Sequence, residues 1–473
     1  MQFAEKYAIR TGRKTMNEEP KRTISFSPPD MSGLEEKEVV DTLRSGWITT
    51  GPKTKKLEHE LATFVGVNDG LKDAKAVTDP NLVCLNSATA SEELIFRVLG
   101  IGPGDEVIIP AYTYTSTAAA ALHVGAKVVF IDSQSNSLEM DYEKVRAAIN
   151  PHTKAIVPVD LGGVPCDYDQ IYSIVTDSEI RKLFTPLMAD DSDDDLVKLG
   201  SRIQKNLGRV AVVADGAHAL GARRFVNHSS SDPEGKGEKK DRMVGSIADF
   251  TSFSFHAVKN FTTAEGGAAS WNLPFTTTAA MDGEVSDAEI YHWFQLLSLH
   301  GQSKDALHKT QLGAWEYDIV APLYKCNMTD IMAGIGLAQM ERYPGLLERR
   351  REIIKRYDAV CEELGVDHIV HFTDDYTSSG HLYITRVTGC DDKQRRQIIV
   401  KMAEKGVATN VHYKPLPMMT GYKKLGFKID DFPNAYKLFI NEITLPLHTK
   451  LSDDDVEYVI KAFKESVKEV RGY

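Results

Sequence analysis

Lys259 stands among small, hydroxyl-bearing and aromatic residues, in Ser252-Phe253-Ser254-Phe255-His256-Ala257-Val258-Lys259-Asn260, a setting suited to amine chemistry. An ammonium destabilised by burial or by positive neighbours gives up its proton near neutral pH, and the free amine attacks carbonyls. Lys259 therefore reads as a Schiff-base lysine. A matching acid lies upstream: the apolar run Val210-Ala211-Val212-Val213-Ala214 ends in Asp215-Gly216-Ala217-His218-Ala219-Leu220-Gly221. That puts Asp215 at the end of a predicted buried strand, where α/β sheets place their ligands. An aspartate there and a lysine after the next strand suit pyridoxal phosphate (PLP), whose ring nitrogen needs a carboxylate and whose aldehyde needs an amine. Taken alone, such an Asp more often caps a helix and such a Lys sits in solvent. Three further pieces of sequence reverse that balance.

Leu82-Val83-Cys84-Leu85 reads as a strand running through Asn86-Ser87-Ala88-Thr89-Ala90 into an apolar helix near Glu92–Leu99. The unpaired N–H groups of a helix start bind phosphate, although Ser87 and Thr89 read equally well as ordinary N-caps. Glu106–Pro110 is a second short strand, and the Ala111-Tyr112-Thr113-Tyr114-Thr115-Ser116-Thr117 that follows offers a flat ring to a pyridine. Tyr114 is the candidate, against a plain core role. Ser254, just ahead of Lys259, offers a hydroxyl to the phosphate.

The elements that must position these residues alternate between strand and helix, the pattern of a mostly parallel sheet covered on both faces. After a polar arm over residues 1–23, helices are predicted near Glu35–Ser45 and Lys53–Val65. Strands follow near Leu82–Leu85, Val107–Ile109, Val128–Ile131, Ala155–Val159, Val210–Ala214, Phe250–Phe253 and Gly267–Ser270. These make a large domain over 24–344. A helix around Leu346–Leu364 leads into a smaller α+β domain over 345–473, with strands near His381–Arg386 and Glu442–Leu445 and helices at Lys393–Lys405 and Asp453–Val470. Two segments read as insertions: 178–207, with an aspartate cluster that reads as a solvated helix start, and the polar 227–241, which reads as a mobile surface loop. Gly100, Gly102 and Gly104 follow a helix and precede a strand, the reverse of a dinucleotide fingerprint.

A chain of 473 residues with 42% hydrophobic content buries a large core, and a net charge of −11 argues against generic nucleic-acid binding. Cys84, Cys166, Cys326, Cys361 and Cys390 are scattered without Cys-x-x-Cys spacing, so they read as reduced, packed thiols; no metal site is expected. The N-terminus lacks the apolar stretch of a signal peptide and no run approaches a membrane span, so a cytoplasmic location is expected.

Taken in order, these motifs resemble the DegT/DnrJ/EryC1/StrS family of nucleotide-sugar aminotransferases, within the fold-type I PLP enzymes. The resemblance covers most of the chain. It includes Gly46-Trp47-Ile48-Thr49-Thr50-Gly51-Pro52, Gly102-Pro103-Gly104-Asp105-Glu106-Val107-Ile108, the Asp215 and Lys259 segments, Tyr324-Lys325-Cys326-Asn327-Met328-Thr329-Asp330-Ile331 and Leu445-Pro446-Leu447-His448. It implies that Lys259 forms the internal aldimine, that Asp215 pairs with the pyridinium nitrogen and that His218 lies beside the ring. Ala88, Thr89 and Ser254 match phosphate-holding positions, and Tyr114 the stacking aromatic. Lys325 and Asn327 match a segment that reaches into a neighbouring subunit's site, which implies a homodimer with shared sites; outside the family they read as surface charge and a helix N-cap. Asn410-Val411-His412-Tyr413-Lys414-Pro415-Leu416 matches a motif that closes over the site. His412, Tyr413 and Lys414 are thus candidates to meet the sugar or its diphosphate, and His300 is a weaker one. Gly216 stands where many relatives have alanine.

The implied reaction passes an amino group from an amino acid, by resemblance glutamate, to the cofactor, leaving pyridoxamine phosphate (PMP), and then to a keto group on a nucleotide-linked sugar. Lys259 would move the proton and Asp215 keep the ring nitrogen protonated. Sister enzymes that dehydrate a sugar carry histidine at the position of Lys259, so lysine favours transamination over a PMP-dependent dehydratase. Retention of both Asp215 and Lys259 disfavours a non-catalytic sensor or scaffold. The sugar, the aminated carbon and the nucleotide stay open.

Overall fold

The computed structural model describes residues 22–67, 79–189, 191–276, 284–303 and 317–472. Residues 1–21 of the expected arm lie outside them. Strands β1 (Leu82–Leu85), β2 (Glu106–Pro110), β3 (Lys127–Ile131), β4 (Thr153–Ile156) and β5 (Ala211–Asp215) each follow a helix. The chain then makes the hairpin β6 (Arg223–Val226) and β7 (Lys240–Met243), and returns as β8 (Phe250–Ser254) and β9 (Gly267–Trp271). Seven of these form one sheet in the order β1-β9-β8-β5-β4-β2-β3. Only β9 runs antiparallel to its neighbours in it.

The near-continuous apolar character of these strands reflects burial on both faces. Val83, Leu85, Val107, Ile109 and Val213 feed one core, while the alternate residues Leu82, Cys84, Ile108, Val212 and Ala214 feed the other. The expected α/β architecture is thus the observed one, with strand bounds displaced by a residue or two except at β4, which stops at Ile156. A third core forms around Ile353, Tyr357, Ile398, Val459 and Phe463 beneath a small antiparallel sheet. That sheet joins β10 (Asp367–His368) and, past β11 (Tyr376–Thr377), β12 (Tyr383–Arg386) and β13 (Glu442–Leu445), in the order β10-β12-β13.

Two features depart from the sequence reading, and the aspartate-rich segment between them agrees with it. The helix predicted near Leu346–Leu364 begins at Asp330 and runs unbroken to Leu364, through Pro344 and past the residue 344/345 boundary. Its first turns contain glycines that weaken helix propensity. They are there for packing: a Cβ on Gly336 would stand 2.7 Å from Leu57 Cδ2, and one on Gly334 would stand 3.0 Å from Thr42 Oγ1. Segment 178–207 contains two helices, Ser178–Leu183 and Asp195–Leu207, and the aspartate cluster opens the second as expected, with the Asp194 carboxylate as its cap. The polar stretch 227–241 is tied down rather than loose. Asp169 accepts the N–H groups of Asn227 and His228, Ser230 N donates to Ile247 O at 2.7 Å, and the stretch ends in β7, which pairs through β6 with β11. Its charged surface and lack of alternation hid the strand. Among the described residues no helix is long and apolar enough to cross a membrane.

At the ends of β5 and β8 remote from the cavity described below, Arg209 and Asp249 form a fully buried fork, both N–O distances being 2.7 Å. Asp249 also accepts Val212 N and Ser230 Oγ, so one carboxylate clamps the two central strands in register. Removing one partner of such a pair strands the other charge in the core. Asp249→Ala is expected to lower unfolding free energy by roughly 3–5 kcal/mol in a denaturant titration; a loss below about 1 kcal/mol, the size of a surface pair, would contradict the clamp.

Candidate active site

The carboxyl ends of parallel strands expose loop backbone and side chains, and here the loops after β1, β2, β5 and β8 converge on one cavity of about 520 Å³. Ser87, Ala88, Thr89, Tyr114, Asp215, His218, Ser254, Lys259, His412 and Tyr413 all line it. Lys325, Asn327, Lys414 and His300 do not.

Asp215 ends β5 and is buried. Its Oδ2 accepts from Thr117 Oγ1 at 2.7 Å and its Oδ1 from Ala217 N at 3.1 Å, so two donors orient a carboxylate in a dry setting. Lys259 sits in a loop closed on itself, since Phe255 N donates to Gly266 O, Thr263 N to Phe255 O and Lys259 N to His256 O. Desolvation brings the Lys259 amine down to about 8, against the opposing pull of the Asp215 charge.

The helix Ala88–Val98 starts at the same cavity. Ser87 caps it by accepting from Ala90 N, which leaves the N–H groups of Ala88 and Thr89 without an acceptor among the described residues. They form an anion cradle at the positive end of the helix. β9 presses against this turn: a Cβ on Gly267 would lie 2.4 Å from Ser87 C, so only glycine fits. The ordinary-cap reading holds for Ser87, whereas the Thr89 hydroxyl lies 2.8 Å from Ser116 Oγ instead of capping. The Ser254 hydroxyl, on the half-buried last residue of β8, also faces the cavity.

The His218 ring is held at both nitrogens. Nδ1 accepts from Gly162 N at 3.1 Å, which places the proton on Nε2, 3.2 Å from the Tyr413 hydroxyl. Burial, aided by the positive charge of Lys259, keeps it neutral, well below the usual histidine range. His412 is neutral too, pushed down to about 3 by burial and then by Lys259. Its Nδ1 lies 2.9 Å from Thr444 Oγ1, whose own proton goes to Glu442, so His412 donates there and presents Nε2 as an acceptor toward the Asn410 amide. Tyr114 is 57% exposed, which rules out the core role and leaves its ring free at the wall, 5.6 Å from that of Tyr413.

Gly216 fits closely: a Cβ there would stand 2.9 Å from Thr251 Cγ2 and 3.1 Å from Ser252 O, so alanine would press on β8 beside the cavity. Asn327 lies against β1, its amide donating to Thr50 Oγ1 and its carbonyl accepting from Lys325; the N-cap of the following helix is Thr329. Lys325, Lys414 and His300 are exposed. Sequence reasoning missed Thr117, which holds Asp215 from a helix start far away in the chain, and Glu92, which lies buried behind it. A threonine among alanines carries no local sign of such a contact.

A lysine, an aspartate and a helix start gathered at the carboxyl ends of this sheet define the class of fold-type I PLP-dependent enzymes. The chain belongs to the DegT/DnrJ/EryC1/StrS aminotransferase family, whose profile matches residues 29–183 and 201–464. Spr1654 of Streptococcus pneumoniae, assigned to the sugar aminotransferases, is similar in its PMP form with a TM-score of 0.80 and 50% identity, covering 94% of this chain and 100% of its own. Its PLP form gives 0.79 and 49%, over 95% and 100%. The spore coat polysaccharide biosynthesis protein SpsC of Bacillus subtilis is 35% identical over 454 residues, 94% of this chain and 97% of its own length. The UDP-4-amino-4-deoxy-L-arabinose–oxoglutarate aminotransferase of Shewanella sediminis is 32% identical over 438 residues, 91% and 94% of the two lengths.

The depressed Lys259 amine is open to a direct check. A small amine-selective aldehyde that enters the cavity is expected to label Lys259 with a rate half-maximal near pH 8, where solvated lysines need about pH 10.4. Peptide mass spectrometry across pH reads both, and identical profiles would contradict the burial.

Proposed function

We propose that this chain is a PLP-dependent aminotransferase that moves an amino group from an amino acid, glutamate first among them, to a keto group of a nucleotide-linked sugar. The observation that carries this reading is the meeting of Lys259 and Asp215 in one cavity with the free helix start at Ala88 and Thr89. The residues fit the cofactor: an anion cradle for its phosphate, a buried carboxylate for its ring nitrogen and an amine of lowered basicity for its aldehyde. The Shewanella relative supports the substrate class and the donor, since its name pairs a UDP-sugar with oxoglutarate.

When bound, PLP supplies an aldehyde that captures amines and a ring that takes up the electron pair left by a departing proton. The N–H groups of Ala88 and Thr89 and the Ser254 hydroxyl would hold the phosphate, and Tyr114 would offer its ring face. Asp215, fixed by Thr117 and Ala217, would accept the hydrogen bond of the ring N–H and favour its protonated form. With the cofactor held there, the Lys259 Nζ, once freed by an incoming donor amine, would be the base placed to take the substrate's α-proton and return it at the cofactor's aldehyde carbon, across the nitrogen that joins the two, and to carry a proton the other way in the return half. Tyr413, held by neutral His218, and His412 form the wall that the sugar meets. Lys414 and His300 would touch only a substrate reaching beyond the cavity mouth. Five buried, unbridged thiols support a cytoplasmic setting.

The reading also takes the enzyme as a homodimer in which Lys325 and Asn327, beside β1 but off their own chain's cavity, reach the phosphate bound by the other copy. Protein loaded with PLP and given glutamate is expected to release 2-oxoglutarate in an amount matching its sites, and then to aminate a nucleotide keto-sugar. Lys259→Ala keeps PLP bound but slows turnover by about 10²- to 10⁴-fold; undiminished turnover would overturn the assignment.

Shared sites have a second signature. Co-expressing Lys259→Ala with Asn327→Ala chains is expected to restore about a quarter of the wild-type sites, because only the mixed dimer rebuilds one intact site. Activity no higher than that of either variant alone contradicts sharing.

A further inference from the structure

Behind Asp215, away from the cavity, lies a second carboxyl group that the proposed reaction leaves unused. Glu92, on the helix Ala88–Val98, is fully buried. Its Oε2 accepts from Ser116 Oγ at 3.2 Å, while Oε1 is sealed from solvent and has no donor among the described residues. The group within hydrogen-bonding reach of Glu92 on its other side is the Asp215 carboxyl. Two oxygens that only accept do not face one another in a dry core without a proton between them, because like charges in contact and unsatisfied acceptors are both costly there.

We propose that Glu92 is a neutral carboxylic acid that donates its proton to the Asp215 carboxylate, and that it is a positioning residue for the reaction. The pair holds one proton and one negative charge. Asp215 then receives three donors, Thr117 Oγ1, Ala217 N and the Glu92 acid, and the remaining acceptor capacity of its oxygens is what faces the ring nitrogen. The consequence is chemical as well as geometric: a donated proton disperses the charge of Asp215 and lowers its basicity, so Glu92 sets how firmly Asp215 retains the ring proton. Ser116 spends its one proton on Glu92, so the Thr89 hydroxyl donates to Ser116, and it is the backbone N–H of Thr89 that meets phosphate.

The surroundings hold Glu92 in that state. Burial and then the Asp215 charge push its acid well above the usual carboxyl range, with Ser116 opposing weakly. β8 and β9, packed on its helix, carry no titratable side chain. On the neighbouring helices, His123 pairs with Glu93, Arg202 with Glu289, Lys198 with Asp195 and Tyr291 with Glu58. Asp160, Lys259 and Tyr413 bear on Asp215 rather than on Glu92.

The role assigned to Asp215 rests on the function proposed above, so the test separates the two. In the cofactor-free full-length protein at neutral pH, the infrared difference between wild type and Glu92→Gln is expected to show the carbonyl stretch of a protonated acid in the wild type alone. A folded Glu92 with a raised pKa binds a proton that the unfolded chain has lost, so its contribution to stability is full at low pH and falls as pH rises. The melting temperature of Glu92→Gln is therefore expected to gain on wild type between about pH 5 and about pH 8. No protonated-acid band, or a melting difference independent of pH, overturns the proposal without reference to any cofactor. In protein loaded with PLP, the pH titration of the visible band is expected to match wild type in Glu92→Gln, which keeps a donor, and to move to higher pH in Glu92→Leu, which has none. A Glu92→Leu titration that coincides with wild type overturns the positioning role while leaving the aminotransferase reading intact.

Discussion

One negative charge kept from water at the end of β5 organises this protein. Asp215 is stable there because donors converge on it from elements that only the fold brings together: Thr117 from the helix after β2, and Ala217 from the turn that continues β5. The same charge opposes the desolvation of Lys259, so the amine is depressed but not extinguished as a base. The remainder of the sheet keeps that pair at one distance. Its far end is clamped by Arg209 and Asp249 across β5 and β8, and its near end is stopped by the glycine contact between β9 and the Ser87 turn.

Around the pair the cavity is conspicuously short of mobile positive charge. His218, His381 and His412 are held neutral, chiefly by burial, and each is engaged by a backbone or side-chain partner that fixes its tautomer or orientation. A cavity arranged in this way keeps Lys259 as its chief titrating amine near neutral pH. Under the proposed function, one amine rather than a neighbouring histidine would then carry the proton between the substrate carbon and the cofactor's aldehyde carbon.

Much of this was legible in sequence because the chemistry sits at strand ends, where an apolar run followed by Asp215, or by Ser87-Ala88-Thr89, announces both the strand and the residue that leaves it. The α/β order, the seven central strands and cavity residues such as Ser87, Thr89, Tyr114, Asp215, Ser254 and Lys259 follow from such local signals, while His218, His412 and Tyr413 were reached through the family resemblance. What escaped was of two physical kinds. Contacts such as Thr117 to Asp215 or Glu92 behind it join segments distant in the chain, and neither residue type nor spacing encodes the meeting. Elements whose local preferences run against their fate were also hidden: the helix from Asp330 contains Gly334 and Gly336 because neighbours crowd it, and runs on through Pro344, while β7 is charged and none of its residues is fully buried. Lys325, Asn327, Lys414 and His300 fall off the cavity of their own chain, a placement that no motif reveals.

The lysine turn is not anchored by the large sheet alone. Asn260, next in the chain to Lys259, donates its amide to Ser379 O at 2.7 Å and accepts from His381, just ahead of β12. His381 in turn packs its ring 4.4 Å from that of His218. Any tilt of the carboxyl-terminal sheet must therefore drag the reactive amine with it or break buried polar contacts. The loop that carries Lys259 and the segment that carries His381 are thus fastened to one another by buried polar contacts, so neither can shift without the other.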